Sequence, residues 1–537
     1  MVQNATAPAA APIPDSISHV RVGLRNRTTE LVAVTICSLI AGAIYTLVLG
    51  EDVNWDWQNY HEYNVWAVLN GRYQTDVLPP GFQTYFNPIV YFPVYYLRHS
   101  LPSPFGLAIM GAVHGLNLVL IYLLSRVLLR EAATFWSIAA SVLIAAIGPM
   151  TLSEVGTSFA DILIALPVVG GITLIVAGDR SPRTMYLLTG LLLGAAVGLK
   201  LTNVVYALGV AAAVLLATRP VTAIVCVGLG GLVGAALTGG AWSLVAWRDM
   251  GNPIFPLFNA VFQSKEVAST NLMDAQFLPR DIWDALAYPF YWLAGDYRSS
   301  EHSFRDARFA VASVLAVLGI AARIARRRAI FRPLDTRFMV LFAVSYLAWL
   351  GLFSIQRYAV VLELLCGPLI VLLLTRIIAD QAQPASLATR APPPNAMVIS
   401  LALAIALWSQ PADWWRRPWS APYQPQIPNT LEQPAIYFLL DKPIAYVAPM
   451  LPPQSRFYQL ADIGVPILPG GRLDQRIRAG LGDPLPGGIR ELHLRGRPVR
   501  TDLLRRYGFA IDASKPCVEI EGAQLGTMLV TCLLIAQ

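Results

Sequence analysis

Long apolar runs alternating with short polar connections set the pattern of this chain. The first run is Leu31 to Gly50. It is followed by Leu107 to Leu129, Phe135 to Pro149, Ile162 to Ala177, Tyr186 to Leu199, Asn203 to Ala217 and Ala223 to Trp247, then by Phe309 to Ile324, Phe338 to Ile355, Tyr358 to Ile378 and Met397 to Trp408. A stretch of about 20 apolar residues is what a bilayer-crossing helix requires, so about eleven membrane helices are expected, the shorter ones half-spanning or kinked. Tyr85 to Leu97 is aromatic and broken by Pro88 and Pro93, which predicts a re-entrant or interfacial element.

Past Trp408 the pattern changes. Residues 409–430 form a Trp- and Pro-rich linker suited to head-group depth, and 431–537 read as a small mixed α/β domain. IAYVAP, RFYQL, ELHLRG, CVEI and TMLVTCLLIA read as strands, and GRLDQRIRAGL and TDLLRRYGF as helices. Met528 to Ala536 is apolar but too short to span, so it is expected as a buried strand. The fold class is therefore a polytopic α-helical membrane protein, 31–408, with a C-terminal α/β domain outside the cytoplasm.

Arginines fix the sidedness. Arg21, Arg25 and Arg27, then Arg126 and Arg130, Arg180 and Arg183, Arg219, Arg323 to Arg328, and Arg376 with Arg390 all fall on every second connection. By the positive-inside rule these connections are cytoplasmic, as is the tail 1–30. The loops 51–103 and 248–308 and everything after Trp408 are then outside. The first apolar run is too long for a typical signal-peptide core and is read as an uncleaved anchor.

Composition agrees. The 537 residues are 55% hydrophobic and only 14% charged, with 40 Lys+Arg against 33 Asp+Glu and a mean hydropathy of +0.52. Soluble proteins carry about 25% charge. The basic residues cluster between apolar runs, which is a topology signal and argues against nucleic acid as a partner. None of the five cysteines has metal-ligand spacing; Cys517 and Cys532 could pair if the tail is outside, although neither spacing nor pattern demands it.

Candidate chemistry gathers on the outer side. DVNWDWQNYHEYN follows the first apolar run; read as a helix, it places Asp56, Asn59, Tyr60, Tyr63 and Asn64 on one face. Glu154 and Asp161 lie in SEVGTSFAD, Lys200 sits in GLKLTN, Arg308 follows SSEHSFRDA, and Arg357 follows Gln356. Ionisable groups at a membrane edge are costly and usually partnered, so clustering on one side argues for a site that holds a charged ligand. Lys200, between two apolar runs, calls for an anion such as a phosphate. Blander readings stand beside these: Asp161 as a helix cap, Lys200 as a snorkelling anchor, Arg308 in a surface salt bridge with Asp306 or Glu301, and His61 and His302 as structural.

The order of these features resembles the GT-C superfamily of polyprenyl-phosphate-sugar-dependent glycosyltransferases, specifically bacterial members related to the mannosyl- and arabinofuranosyl-transferring groups. The resemblance rests on D-x-x-x-Y at Asp56 to Tyr60, the acid Asp161 opening a helix beside Glu154, GLLLGAAVGLKLTN ending near Lys200, GNPIFP at Gly251 to Pro256, and Arg357 with Tyr358. It implies Asp56 as catalytic base, with Asp161 as the second acid. Asn59, Tyr60, Glu154, Lys200, Arg308 and Arg357 are then substrate-binding residues. Gln58 and Asn59 stand where some members carry a second acid, and the lysine precedes its threonine. No cofactor is required on this reading, and a divalent cation is left open. The partners implied are a polyprenyl-phosphate-linked sugar, a hydroxyl acceptor and membrane lipids, in a bacterial cytoplasmic membrane. A transporter or lipid flippase and a non-catalytic envelope-assembly subunit are the rival classes; a chain without repeats and with its charges at one face fits them less well.

Overall fold

In the computed structural model, each of the eleven apolar runs is helical. The structure describes the chain from residue 16 onward, except 178–181, 270, 273, 328–329, 382–393, 420–422, 424, 426 and 462–465. Arg180, Arg328 and Arg390, and the first half of the N-terminal tail, therefore lie outside the described residues. Among those described, eight helices are long and apolar enough to cross a membrane: Thr28–Leu49, Phe105–Ala132, Ala160–Ala177, Pro182–Leu199, Pro220–Met250, Arg308–Ala325, Pro333–Leu352 and Gln356–Ile378. Phe135–Ala146, Leu201–Leu215 and Asn395–Trp408 are shorter apolar helices. The chain is a multi-pass membrane protein. Tyr85 to Leu97 runs from the end of the 3-10 turn Gly81–Tyr85 through a second one, Pro88–Tyr91, into the nine-residue helix Phe92–Ser100, none of which can span.

Packing places the helices and, through them, the site. Gly190 and Gly194 of Pro182–Leu199 face Val227 and Gly231 so closely that a Cβ at either would overlap a backbone carbonyl. A seam of small residues lets two membrane helices meet backbone to backbone. That seam sets where Lys200 emerges. The helix Val360–Gln381 is the most enclosed, buried along nearly its whole length against its neighbours.

After the membrane helices comes a six-stranded sheet. Strands β3 (Ile436–Leu439), β4 (Arg456–Gln459) and β5 (Ile489–Leu494) are parallel, while β8 (Met528–Ala536) runs antiparallel to β5, β6 (Phe509–Ile511) and β7 (Val518–Glu521). The helices Arg472–Leu481 and Thr501–Arg506 fall where the sequence places them. One strand assignment fails: IAYVAP lies in a 3-10 turn, Ala445–Met450, and the central strand is instead IYFL, β3. All four β3 residues are buried, as a parallel strand covered on both faces must be, so it lacks the alternation that marks a half-exposed strand. Cys517 and Cys532 are disulfide-bonded, joining β8 to the start of β7.

Sheet and membrane helices are laced together. Strand β1 (Glu51–Asp52), directly after the first helix, pairs with β2 (Arg416–Arg417) of the linker. Val77 adds to the free edge of β4: its N–H donates to Phe457 O at 2.9 Å and its carbonyl accepts from Gln459 N at 3.0 Å. The loop after the first helix is thus part of both layers.

Candidate active site

Gly50 ends the first helix in a left-handed conformation, φ +97°, and turns the chain into β1. Asp52, which is fully buried, accepts from Ser158 N and Asn54 Nδ2, both at 2.8 Å. Asn54 Nδ2 also donates to Ser158 Oγ at 2.9 Å, and that hydroxyl meets His61 Nδ1 at 2.8 Å. This network ties the loop after the first helix to the turn before Ala160–Ala177. It brings Asp56 and Asp161 to the same end of the bundle.

Asp56 immediately precedes a π-helical turn, Trp57–His61. Its Oδ2 accepts from Arg357 Nη1 at 2.8 Å and from the Tyr60 hydroxyl at 3.2 Å. Arg357 lies in the 3-10 turn Gln356–Ala359 that opens the enclosed helix, and its guanidinium is flanked by the rings of Phe159 at 4.7 Å and Trp414 at 5.1 Å. A second ion pair stands beside the first: Lys200 Nζ donates to both Asp161 oxygens at 2.7 Å. The Tyr358 ring lies 4.5 Å from Lys200 and 5.9 Å from Arg357, linking the two cations. Glu154 is fully buried; its Oε2 accepts from Ile162 N at 3.1 Å.

Protonation states are set by burial and neighbours. Burial opposes ionisation of Asp56, but the Arg357 guanidinium outweighs it and holds the carboxyl below its ordinary range. Burial lowers His61 to about 3, so its imidazole is neutral. Burial, reinforced by the neighbouring Asp161, pushes Glu154 well above the usual carboxyl range.

Six of the eight site residues expected from sequence, Asp56, Tyr60, Glu154, Asp161, Lys200 and Arg357, are therefore neighbours. Two are elsewhere. Asn59 donates to Pro80 O at 3.3 Å and to the Gln83 side chain, away from Asp56, and Tyr63 donates to Asp76 at 2.7 Å. The single helical face expected for 56–64 does not form, because the π turn inserts a residue and rotates the helical turns after it. Arg308 and Asp306 are fully buried and paired at 2.6 Å, with Glu363 Oε2 3.3 Å away. Glu363 also accepts from Thr151 N and Oγ1, each at 3.0 Å. Arg308 is thus a strut inside the bundle rather than a surface pair or ligand contact. His302 packs on Trp414, ring centroids 4.7 Å apart. Lys200 meets an anion as expected, but it is Asp161.

An aromatic wall over Arg357 is a feature that residue spacing does not announce. Phe159 and Trp414 enclose Arg357, and only the aromatic density of the linker pointed that way. Trp414 also donates to Ser153 Oγ at 3.0 Å. Among the described residues no group of three or more His, Cys, Asp or Glu could hold a metal ion.

The geometry defines a class: a multi-pass membrane protein with a buried pair of salt bridges at one end of its bundle, roofed by a segment leading to a soluble sheet. No family model matches the chain, and no curated protein matches it. It is similar to the crystal structure of ArnT from Cupriavidus metallidurans in the apo state, with 17% identity over 72% of this chain and 70% of that one and a TM-score of 0.43. It is also similar to the same protein bound to undecaprenyl phosphate, with 16% identity over 71% and 69% and a TM-score of 0.40.

Proposed function

We propose that this chain is a membrane glycosyltransferase that moves a sugar from a polyprenyl-phosphate donor to a hydroxyl acceptor. The observation that carries the reading is the pairing of two buried cations, Arg357 and Lys200, with two buried acids, Asp56 and Asp161, at one membrane edge. A lipid-borne phosphate reaching that edge sideways meets both cations, while an acceptor hydroxyl can approach from the aqueous side. Asp56, held ionised, accepts the acceptor's proton as its oxygen attacks the anomeric carbon with inversion; Lys200 and Arg357 stabilise the charge that develops on the departing phosphate. Tyr60, hydrogen-bonded to Asp56, fixes the direction of the base.

The site would face away from the cytoplasm. Arg126 pairs with Glu30, Arg332 with Glu131 and Arg376 with Asp335, all at the ends of their helices opposite the site, which is the arrangement the positive-inside rule assigns to the cytoplasm. The Cys517–Cys532 bridge supports an oxidising compartment for the sheet. Neither metal nor other cofactor enters this reading.

The test is transfer. Purified protein is incubated with radiolabelled polyprenyl-phosphate sugars and envelope glycolipids or glycans as acceptors. Label should move to an acceptor with wild-type protein and not with Asp56→Asn. Transfer that persists in Asp56→Asn, or failure of every donor to be used, would overturn the assignment.

A further inference from the structure

Two buried polar atoms at the site have no hydrogen-bond partner among the described residues: Arg357 Nε and Glu154 Oε1. Leaving a buried polar group unpaired is costly, so each calls for a partner that the described residues do not supply. Glu154 closes the short helix Pro149–Glu154, and its other oxygen is held by Ile162 N at the start of the next helix. The charged groups facing it are Asp161 from that helix, Lys200 from the turn beyond the glycine seam, and Arg357 and Glu363 from the enclosed helix and the turn that opens it.

Charge counting decides the form of Glu154. Asp56 with Arg357 and Asp161 with Lys200 cancel, while Arg308 has both Asp306 and Glu363 against it. An ionised Glu154 would add a further negative charge beside these acids and repel a phosphate. Asp161 has both oxygens on Lys200 at 2.7 Å, whereas no cation meets either oxygen of Glu154; of two neighbouring buried acids, the one without a cation takes the proton. A protonated carboxyl presents an O–H that needs an acceptor, and the unpaired Nε–H of Arg357, whose charge acts on Glu154, needs one too.

We infer that Glu154 and Arg357 Nε both donate to a phosphoryl oxygen of the lipid-linked ligand, Glu154 serving as a neutral hydrogen-bond donor rather than as a base or a metal ligand. This rests on the polyprenyl-phosphate donor of the proposed function. No proton leaves Glu154: it binds the phosphate in the donor and in the product alike. A neutral donor lets the site take the phosphate without setting a further negative charge of its own against it.

The experiment uses the full-length protein in nanodiscs with undecaprenyl phosphate as probe and undecaprenol as the control lacking phosphate. Infrared difference spectra should show a protonated-carboxyl carbonyl band that shifts on addition of undecaprenyl phosphate, does not shift with undecaprenol, and is missing in Glu154→Gln. Glu154→Leu should weaken undecaprenyl phosphate binding by about tenfold or more, the loss of one hydrogen bond to a charged group. Glu154→Gln, whose amide N–H can also donate, should recover most of that loss. A band that ignores undecaprenyl phosphate or follows undecaprenol equally, or Glu154→Gln binding as weakly as Glu154→Leu, would overturn the role of Glu154 while leaving the donor reading intact. Wild-type protein that fails to bind undecaprenyl phosphate at all would overturn both. Should Glu154→Leu not fold, the wild-type and Glu154→Gln spectra decide alone.

Discussion

Replacing Asp56 with Asn should move two observables in opposite directions. The side chain keeps its size and can still accept from Arg357 Nη1, now 2.8 Å from Oδ2, but its charge and its basicity are gone. Loss of a general base costs about a hundredfold to ten-thousandfold in turnover. Donor binding should tighten. A phosphate oxygen on the far side of the guanidinium lies about 6 Å from the carboxylate, a repulsion of about 3 kcal/mol at an effective dielectric of about 20. With most of that offset by the Arg357 charge between them, about 1 kcal/mol remains, or about fivefold in affinity. The ligand-free variant holds Arg357 buried without its countercharge, so its melting temperature should fall and its gain on adding undecaprenyl phosphate should rise. Calorimetric titration of undecaprenyl phosphate and single-turnover transfer on the same preparation read both effects. Turnover near the wild-type rate, or donor affinity weakened in a protein that still folds, would refute the reasoning.

Other residues give further outcomes. Lys200→Met should weaken donor binding and destabilise the protein by about 3–5 kcal/mol, because Asp161 is left buried and unpaired; the Lys200→Met, Asp161→Asn double variant should regain stability but not binding, as thermal melts and titration would show. Arg308→Met should lower stability by a similar amount by stranding Asp306 and Glu363, and detergent-solubilised yield with melting temperature would measure it. His61 is neutral when folded, with its value lowered from 6.5 to about 3, so the unfolded chain binds more protons between those values and stability must fall as pH drops through that window. His61→Asn should flatten that part of the melting-temperature profile. Removing the 15-residue loop closure of Cys517 and Cys532 by a double Ser substitution should cost about 3 kcal/mol in the sheet, and intact wild-type protein should show neither thiol to an alkylating reagent after denaturation.

The helices were legible because bilayer length and apolarity are properties of short windows, and every run from Leu31 to Trp408 became a helix. The acids and cations were legible for a different reason: alternating topology assigns each connection to a side, so Asp56, Glu154, Asp161, Lys200 and Arg357 could be grouped without knowing any contact. Pairing was not. That Lys200 meets Asp161, and Arg357 meets Asp56, depends on the glycine seam and on the Asp52, Asn54 and Ser158 network, both of which are long-range. Asn59 was misplaced because hydrogen-bond register inside a helix, here a π turn, leaves no mark on residue spacing. Arg308 was misplaced because burial of a charge looks the same in sequence as exposure. β3 was missed because a strand buried on both faces has no period to detect.

Arg416 and Arg417, adjacent in the linker, reach in opposite directions. Arg416 donates to Val155 O at 2.8 Å and to Ser153, Gly156 and Gly50 carbonyls, while Arg417 donates to Ala523 O at 2.9 Å. The wall over Arg357 has two origins, Phe159 from the turn before Ala160–Ala177 and Trp414 from the linker. Trp414 is held from both sides: Arg416 ties its segment to the turn at Ser153 to Gly156, and Arg417 ties it to the sheet at Ala523, so the seating of the wall depends on the fold of the sheet. A chain whose sheet is unfolded would keep its membrane helices but hold Trp414 by one anchor instead of two, leaving the Arg357 guanidinium open to water on that side.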